Sequence, residues 1–192
     1  MEPVALHTAR LVLDQPGAGD VDTIAGLCQD PAFERFLTIP WPYTRDDAAG
    51  FVGEFVPGGW ASGREATWAI RDETGGPLLG VIGFRTERNE IGFWLGAAHR
   101  GRGIMREAAL AVADWAFAGG LTGRSGDDVE LTWRALRGNL GSAGVARAAG
   151  FRRLPDGPVP LRGGGEEPGW VAVRGRHPHP DARASWAGIL DA

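Results

Sequence analysis

The chemistry in this chain is concentrated in the run His99, Arg100, Gly101, Arg102, Gly103, Ile104 and Met105. It lies between a strand-like stretch, residues 90–95, and a helix-like stretch, residues 105–117. A strand that turns through glycines into a helix leaves the first N–H groups of that helix without intrahelical partners. Those donors, with the positive end of the helix dipole, favour an anion such as phosphate. Gly101 and Gly103 allow the main chain to approach the anion with no Cβ in the way. Arg100 and Arg102 surround it with positive charge. A dinucleotide fingerprint would need a third glycine at position 106, where Arg106 stands, and would open the first βαβ unit rather than fall mid-chain. A Walker A loop needs a lysine, and the chain has none.

The elements that must position this loop are legible in hydrophobic periodicity and turn residues. Strands are expected over residues 9–13, 66–71, 78–85, 90–95, 129–135, 151–154 and 170–174. Helices are expected over 20–36, 45–55 with Thr44 as N-cap, 105–117 and 140–149. Residues 38–43 are kept out of helix by Pro40 and Pro42. Gly163, Gly164 and Gly165 with Glu166 and Glu167 read as a mobile loop between the last two strands. The tail from about residue 176 reads as peripheral, with helical character near 182–190.

With 192 residues, 43% hydrophobic and 23% charged, the chain is expected to form one domain over residues 1–192 with a substantial core. A net charge of −4 argues against a general nucleic-acid binder. No apolar run approaches a membrane span, and no basic-then-apolar leader opens the chain, so neither membrane attachment nor secretion is expected. The single cysteine, Cys28, excludes an internal disulfide, and the cytoplasm is the expected compartment. All 20 basic residues are arginine, which removes lysine-based covalent chemistry. His177 and His179 with Asp181 do not make a closed metal site, so no metal is expected.

Three segments resemble the GNAT (GCN5-related) N-acetyltransferase superfamily. The run Glu90 to Leu95 looks like the family's fourth strand. Arg100, Gly103 and Met105 look like its pyrophosphate loop, with methionine in the last slot, as in the branch that resembles the ribosomal-protein-alanine N-acetyltransferases. Asn139 and Ser142, followed by Gly150 and Phe151, resemble its Asn-x-x-Ser…Gly-Phe segment. The order of elements agrees over roughly residues 8–175. The resemblance implies an α/β (α+β) GNAT fold: a mixed, mostly antiparallel twisted sheet of six to seven strands with about four helices, splayed between the fourth and fifth strands. It also implies acetyl-CoA as co-substrate and transfer of its acetyl group to a primary amine in a ternary complex. The acceptor would be a peptide N-terminus or a small molecule. A catalytically silent coenzyme A-binding regulator or scaffold is the alternative, and a homodimer remains open.

By the same resemblance, the main chain of Trp94, Leu95 and Gly96 should pair with pantetheine. The segment Arg100, Gly101, Arg102, Gly103, Ile104 and Met105 should hold pyrophosphate, and Asn139 should bond the pantetheine arm, a role compatible with helix N-capping. Many relatives place an acidic tyrosine where Ala146 stands, so Ser142 takes the acid or hydrogen-bond role, or else only caps its helix. Glu90 is the candidate base, or else a solvated strand-end carboxylate. Trp41 and Tyr43 are expected to wall the acceptor pocket, with packed core the alternative for Trp41. Glu166 and Glu167 are expected to attract a cationic amine. Cys28 reads as core rather than nucleophile.

Overall fold

Alternation of small or apolar side chains, as in Ala66, Trp68 and Ile70 against Thr67, Ala69 and Arg71, builds a sheet buried on both faces. In a computed structural model that describes residues 1–121, 123 and 129–190, that sheet has nine strands. They are β1 (Leu6–His7), β2 (Val12–Asp14), β3 (Glu65–Arg71), β4 (Gly80–Arg85), β5 (Glu90–Leu95), β6 (Leu131–Ala135), β7 (Arg152–Arg153), β8 (Gly157–Pro160) and β9 (Glu166–Arg174). The order is β1-β2-β3-β4-β5-β6-β9-β7, with β8 paired to β9. Every pairing is antiparallel except β5 with β6.

The helices are α1 (Val21–Leu27), α2 (Pro31–Phe36), α3 (Arg45–Gly50), α4 (Val56–Ser62), α5 (Ile104–Phe117) and α6 (Leu140–Ala148). One face of the sheet packs Trp68, Ile82, Phe84 and Ile91 against Ala108, Ala109 and Val112 of α5. The opposite face packs Ala69 and Val81 against Ile24, Phe33, Tyr43 and Val52 from the α1–α3 region. The central pair, β5 and β6, shares a single ladder position, Glu90 opposite Thr132. Beyond it the strands diverge, which is the splay expected from the resemblance.

Several expectations are corrected. The single helix over 20–36 is broken, because Pro31 starts a new helix whose N-cap is Asp30, accepting from Ala32 N at 2.9 Å. The helix over 45–55 instead continues to Ser62, widening to a π-helical turn over Phe51–Phe55 just before Pro57, which has no N–H to donate. The two strands beyond the seven expected are β1, only two residues long, and β8, which contains two prolines, so that little periodicity is there to read. Glu166 and Glu167 are not in the glycine loop but begin β9, paired to Pro160 and Val159. The tail is anchored rather than peripheral: Trp186 is fully buried, donates Nε1–H to Phe151 O at 2.8 Å, and packs its ring 5.7 Å from that of Trp133.

The start of α1 is tied to the sheet by a buried ion cluster. Arg71 donates to both oxygens of Asp20 at 2.9 and 2.8 Å, to Asp14 at 2.8 Å and to Gly76 O at 2.8 Å. Burial alone would push the Asp20 carboxyl up, but the Arg71 hydrogen bonds, the Gly17 amide and the Arg71 charge outweigh it and hold it below its ordinary value. Asp20 therefore stabilises the fold fully above the ordinary carboxyl range near 4, and that contribution fades as pH falls through the lower folded value. Arg71→Met leaves two carboxylates without their cation and should cost about 3–5 kcal/mol. Urea unfolding at neutral pH reads that loss, and the deficit relative to wild type should shrink on acidification.

Candidate active site

The glycine turn has the geometry that anion binding requires. Gly101 and Gly103 sit at φ of 75° and 76°, a region where side chains are strained, and Gly103 is the N-cap of the 14-residue helix α5. The turn is held from behind by Arg10, whose Nη1 donates to Arg102 O at 3.4 Å while its Nε donates to Glu107 at 2.8 Å. Thr8 Oγ1 donates to the same carboxylate at 2.5 Å. These hydrogen bonds, Thr8 first, hold the Glu107 carboxyl below its ordinary value, so it stays ionised in the first turn of α5.

In front of the turn lies a cleft of about 640 Å³. Its walls are Phe93, Trp94 and Leu95 of β5, the turn residues Arg100, Gly101, Gly103, Ile104 and Met105, and Asn139, Ser142 and Val145 of α6 with its N-cap. Largely apolar, with Arg100 and the start of α5 in its wall, it suits a ligand with an apolar arm and an anionic head. A second chamber of about 460 Å³ adjoins it. Its floor is Glu65, Thr67, Gly83, Arg85, Gly92 and Arg134, and its roof is residues 36–40 with Tyr43, Asp47, Phe51 and Phe55. The two cavities share Phe36 and Leu37 at the end of α2 and Phe93, Trp94, Asn139 and Ser142 at the open end of the split between β5 and β6.

At that junction Asn139 caps α6, its Oδ1 accepting from Ser142 N at 3.2 Å. Ser142 Oγ accepts from Trp133 Nε1 at 3.1 Å, so the hydroxyl is oriented by an indole and keeps its own proton to donate. Arg100 lines the cleft, but its guanidinium is engaged, donating to Leu95 O at 3.0 Å and Asp30 at 2.6 Å while lying 5.4 Å from the Phe33 ring centroid. The Leu95 carbonyl is thus already occupied, and Gly96 N is spent on Leu79 O at 2.9 Å. Gly96 and the exposed Arg102 are not among the cleft walls.

Glu90 is in a setting unlike that expected of a free base. Its side chain is only 8% exposed. Arg134 grips its Oε2 through Nη2 at 2.5 Å and Nε at 2.9 Å, and Arg85 approaches Oε1 at 3.4 Å. Both carboxylate oxygens are therefore engaged by guanidinium donors.

Tyr43 lines the second chamber, and burial, followed by the nearby Cys28 and Asp47, pushes its phenol up, so it remains protonated at neutral pH. Burial pushes the Cys28 thiol up to about 12, which makes it inert core, as expected. Trp41 packs half-buried against the α1–α3 cluster and does not line the chamber. Glu166 and Glu167 are exposed on the outer hairpin, and it is their strand partners Val159 and Pro160 that reach the chamber. Among the described residues no His, Cys, Asp and Glu cluster fits a metal ion.

Sequence reading missed the floor residues Glu65, Thr67, Gly83, Arg85, Gly92 and Arg134. The signal available was polar or glycine residues on alternate positions of four otherwise largely apolar strands.

A split mixed sheet with a glycine turn at its open end defines a GNAT-type domain. The family described as Acetyltransferase (GNAT) domain matches residues 10–152, and the chain belongs to that family. A curated relative, the N-acetyltransferase p20 of Bacillus licheniformis, itself uncharacterised, is 26% identical over 117 residues. That match spans 58% of this chain and 65% of the relative's length. Among solved structures, a Vibrio cholerae protein provisionally described as a ribosomal-protein-serine acetyltransferase superposes with a TM-score of 0.75 at 20% identity, covering 91% of this chain and 99% of that one. RimL, a ribosomal L7/L12 α-N-protein acetyltransferase in complex with coenzyme A, gives 0.70 at 19% identity, covering 89% and 97%. The microcin C7 self-immunity acetyltransferase MccE, with acetyl-CoA and AMP, gives 0.70 at 17%, covering 88% and 93%.

The glycine turn generates a direct test. Coenzyme A at about a hundred times its dissociation constant should stabilise the protein by roughly 2.7 kcal/mol. For a domain of this size that raises Tm by roughly 5–10 °C. Gly103→Val places a β-branched side chain in left-handed backbone at the anion site and should erase the shift in differential scanning fluorimetry. A folded variant that keeps the full shift would put the anion elsewhere.

Proposed function

We propose that this protein is a cytoplasmic N-acetyltransferase that moves the acetyl group of acetyl-CoA to a primary amine while both substrates are bound. One observation carries this reading: two adjoining cavities of suitable size meet at the open end of the β5–β6 split, sharing Phe36, Leu37, Phe93, Trp94, Asn139 and Ser142. In the coenzyme cleft, acetyl-CoA supplies an activated thioester carbonyl. The N–H groups at the start of α5 hold its pyrophosphate, and Asn139 and the open edge of β5 position its arm. The acceptor enters the second chamber and presents its amine through the split.

Three demands follow for the residues. The amine must be neutral, its nitrogen must reach the carbonyl carbon, and the leaving sulfur must gain the proton that the nitrogen loses. Ser142, oriented by Trp133, is the hydroxyl at the junction and passes a proton toward the sulfur. Glu90, expected as the base, is assigned here to holding the closed end of the split, because its carboxylate is committed to Arg134 and Arg85. Without a free base at the junction, the acceptor's own pKa matters. An α-amine, near 7.7–8.0, is neutral often enough at physiological pH, whereas an alkylamine near 10.4 is almost wholly protonated. This favours a peptide N-terminus over a lysine-like amine.

The test is free-thiol release from acetyl-CoA across a panel of peptides and small amines. Turnover with an α-amine is expected. Silence across the panel, with coenzyme binding confirmed, would assign the domain to binding without catalysis. Ser142→Ala should lower kcat by about three- to tenfold, the equivalent of one neutral hydrogen bond, with little change in coenzyme affinity. Glu90→Gln should lower thermal stability more than a surface change would, because it leaves Arg134 buried without its counter-charge.

A further inference from the structure

The acceptor chamber has a polar floor whose chemistry the transfer reaction does not use. Glu65, Arg85 and Glu90 are opposite one another across β3, β4 and β5, and Arg134 of β6 closes the row on Glu90. One step along the strands, Thr67, Gly83 and Gly92 form a parallel row in which two of three positions have no side chain. The hollow above those glycines is open at Gly92, where an added Cβ would meet nothing within 4 Å.

Two oxygens hang over Gly83. A Cβ built there would lie 2.9 Å from Glu65 Oε1 and 3.6 Å from Thr67 Oγ1. Arg85 engages the other carboxylate oxygen, Oε2, at 3.1 Å, so Oε1 is the one turned to the hollow. Thr67 Oγ1 is buried with no hydrogen-bond partner, an arrangement that favours an added polar group beside it. Of the charged groups lining the chamber, the carboxylates of Asp47 and Glu65 balance the guanidiniums of Arg85 and Arg134, and both guanidiniums are also paired with Glu90, which is outside the lining.

We infer that the hollow over Gly83 receives a basic side chain of the acceptor, held by Glu65 with Thr67 beside it, so that the preferred acceptor is a peptide N-terminus with lysine or arginine at its second or third residue. The inference rests on the reading of the chain as an N-acetyltransferase. Distance sets the position. Gly83 lies one strand across and two residues back from Trp94. That is roughly 8 Å from the junction at ordinary strand dimensions, or two to three residues of extended peptide.

The experiment compares short peptides that differ only at the second or third residue, with lysine, glutamine or norleucine there, by acetyl-CoA-dependent thiol release. With the wild-type protein, kcat/KM for the better-placed lysine peptide should exceed that of its neutral counterparts by about ten- to a hundredfold, the range of one charged hydrogen bond. The preference should fall with added salt. In Glu65→Gln the ratio between lysine and norleucine peptides should collapse toward one. Gly83→Ala, which pushes the carboxylate from the hollow without touching its charge, should do the same, provided that both variants melt cooperatively. If peptides turn over with no preference for the basic residue, or if the preference survives both variants, the inference is overturned while the acetyltransferase reading stands. If α,ω-diamines outcompete every peptide, the acceptor class is overturned. If no amine turns over although coenzyme A binds, both readings fail together.

Discussion

The ion pair between Glu90 and Arg134 joins two strands at the only position where they pair. Parallel neighbours in a sheet ordinarily continue side by side, bonded at every second residue. Here β5 and β6 touch at Glu90 and Thr132 and then separate. A weak apex would let the whole sheet open or close up. A contact in which Arg134 Nε and Nη2 both donate to one Glu90 oxygen, with the two side chains only 8–10% exposed, braces the apex beside that pairing. Both cavities reach that opening: the larger cleft, lined by α2, α5, α6 and β5, and the second chamber, roofed by residues 36–40 with Tyr43, Asp47, Phe51 and Phe55. The bonds that make this carboxylate a pin also occupy both of its oxygens.

Elements far apart in sequence converge on the two cavities through a few polar tethers. Arg10 reaches from the first strands to the glycine turn. Arg100 joins the Leu95 carbonyl to Asp30, the residue that caps α2 beneath the chamber roof. Arg71 fixes the beginning of α1. Each tether is an arginine with a fork of donors meeting two or more acceptors, which a lysine could not do in the same geometry. A chain whose basic residues are all arginine uses them as struts, while its transfer junction is built from groups that carry no charge: Phe93, Trp94, Asn139 and Ser142.

What could be read from the sequence followed from local physics. The glycine turn, its helix and the Asn139 cap declare themselves because the backbone conformation demands particular residues. The bounds of β5 and the near-complete span of α5 came from simple periodicity. The floor of the acceptor chamber was illegible for the opposite reason: Glu65, Thr67, Gly83 and Gly92 are scattered over three strands, and only the register of the sheet brings them together. Charge misled as well. Glu166 and Glu167 stood out as an acidic pair near glycines, yet an outward-facing hairpin strand takes them away from the chamber, whereas the less conspicuous Glu65 lies within it. Pro31 was visible and should have split the first helix, since proline at a first helical position marks a beginning.

Trp186 gives the chain's last segment an unexpected relation to the chemistry. Its indole is wedged against Trp133, and the Trp133 ring nitrogen in turn steers the Ser142 hydroxyl. Three groups from the tail, the central sheet and α6 therefore form one continuous line of contact. The orientation of the hydroxyl at the opening between the cavities rests, through one intervening ring, on a buried residue of the tail.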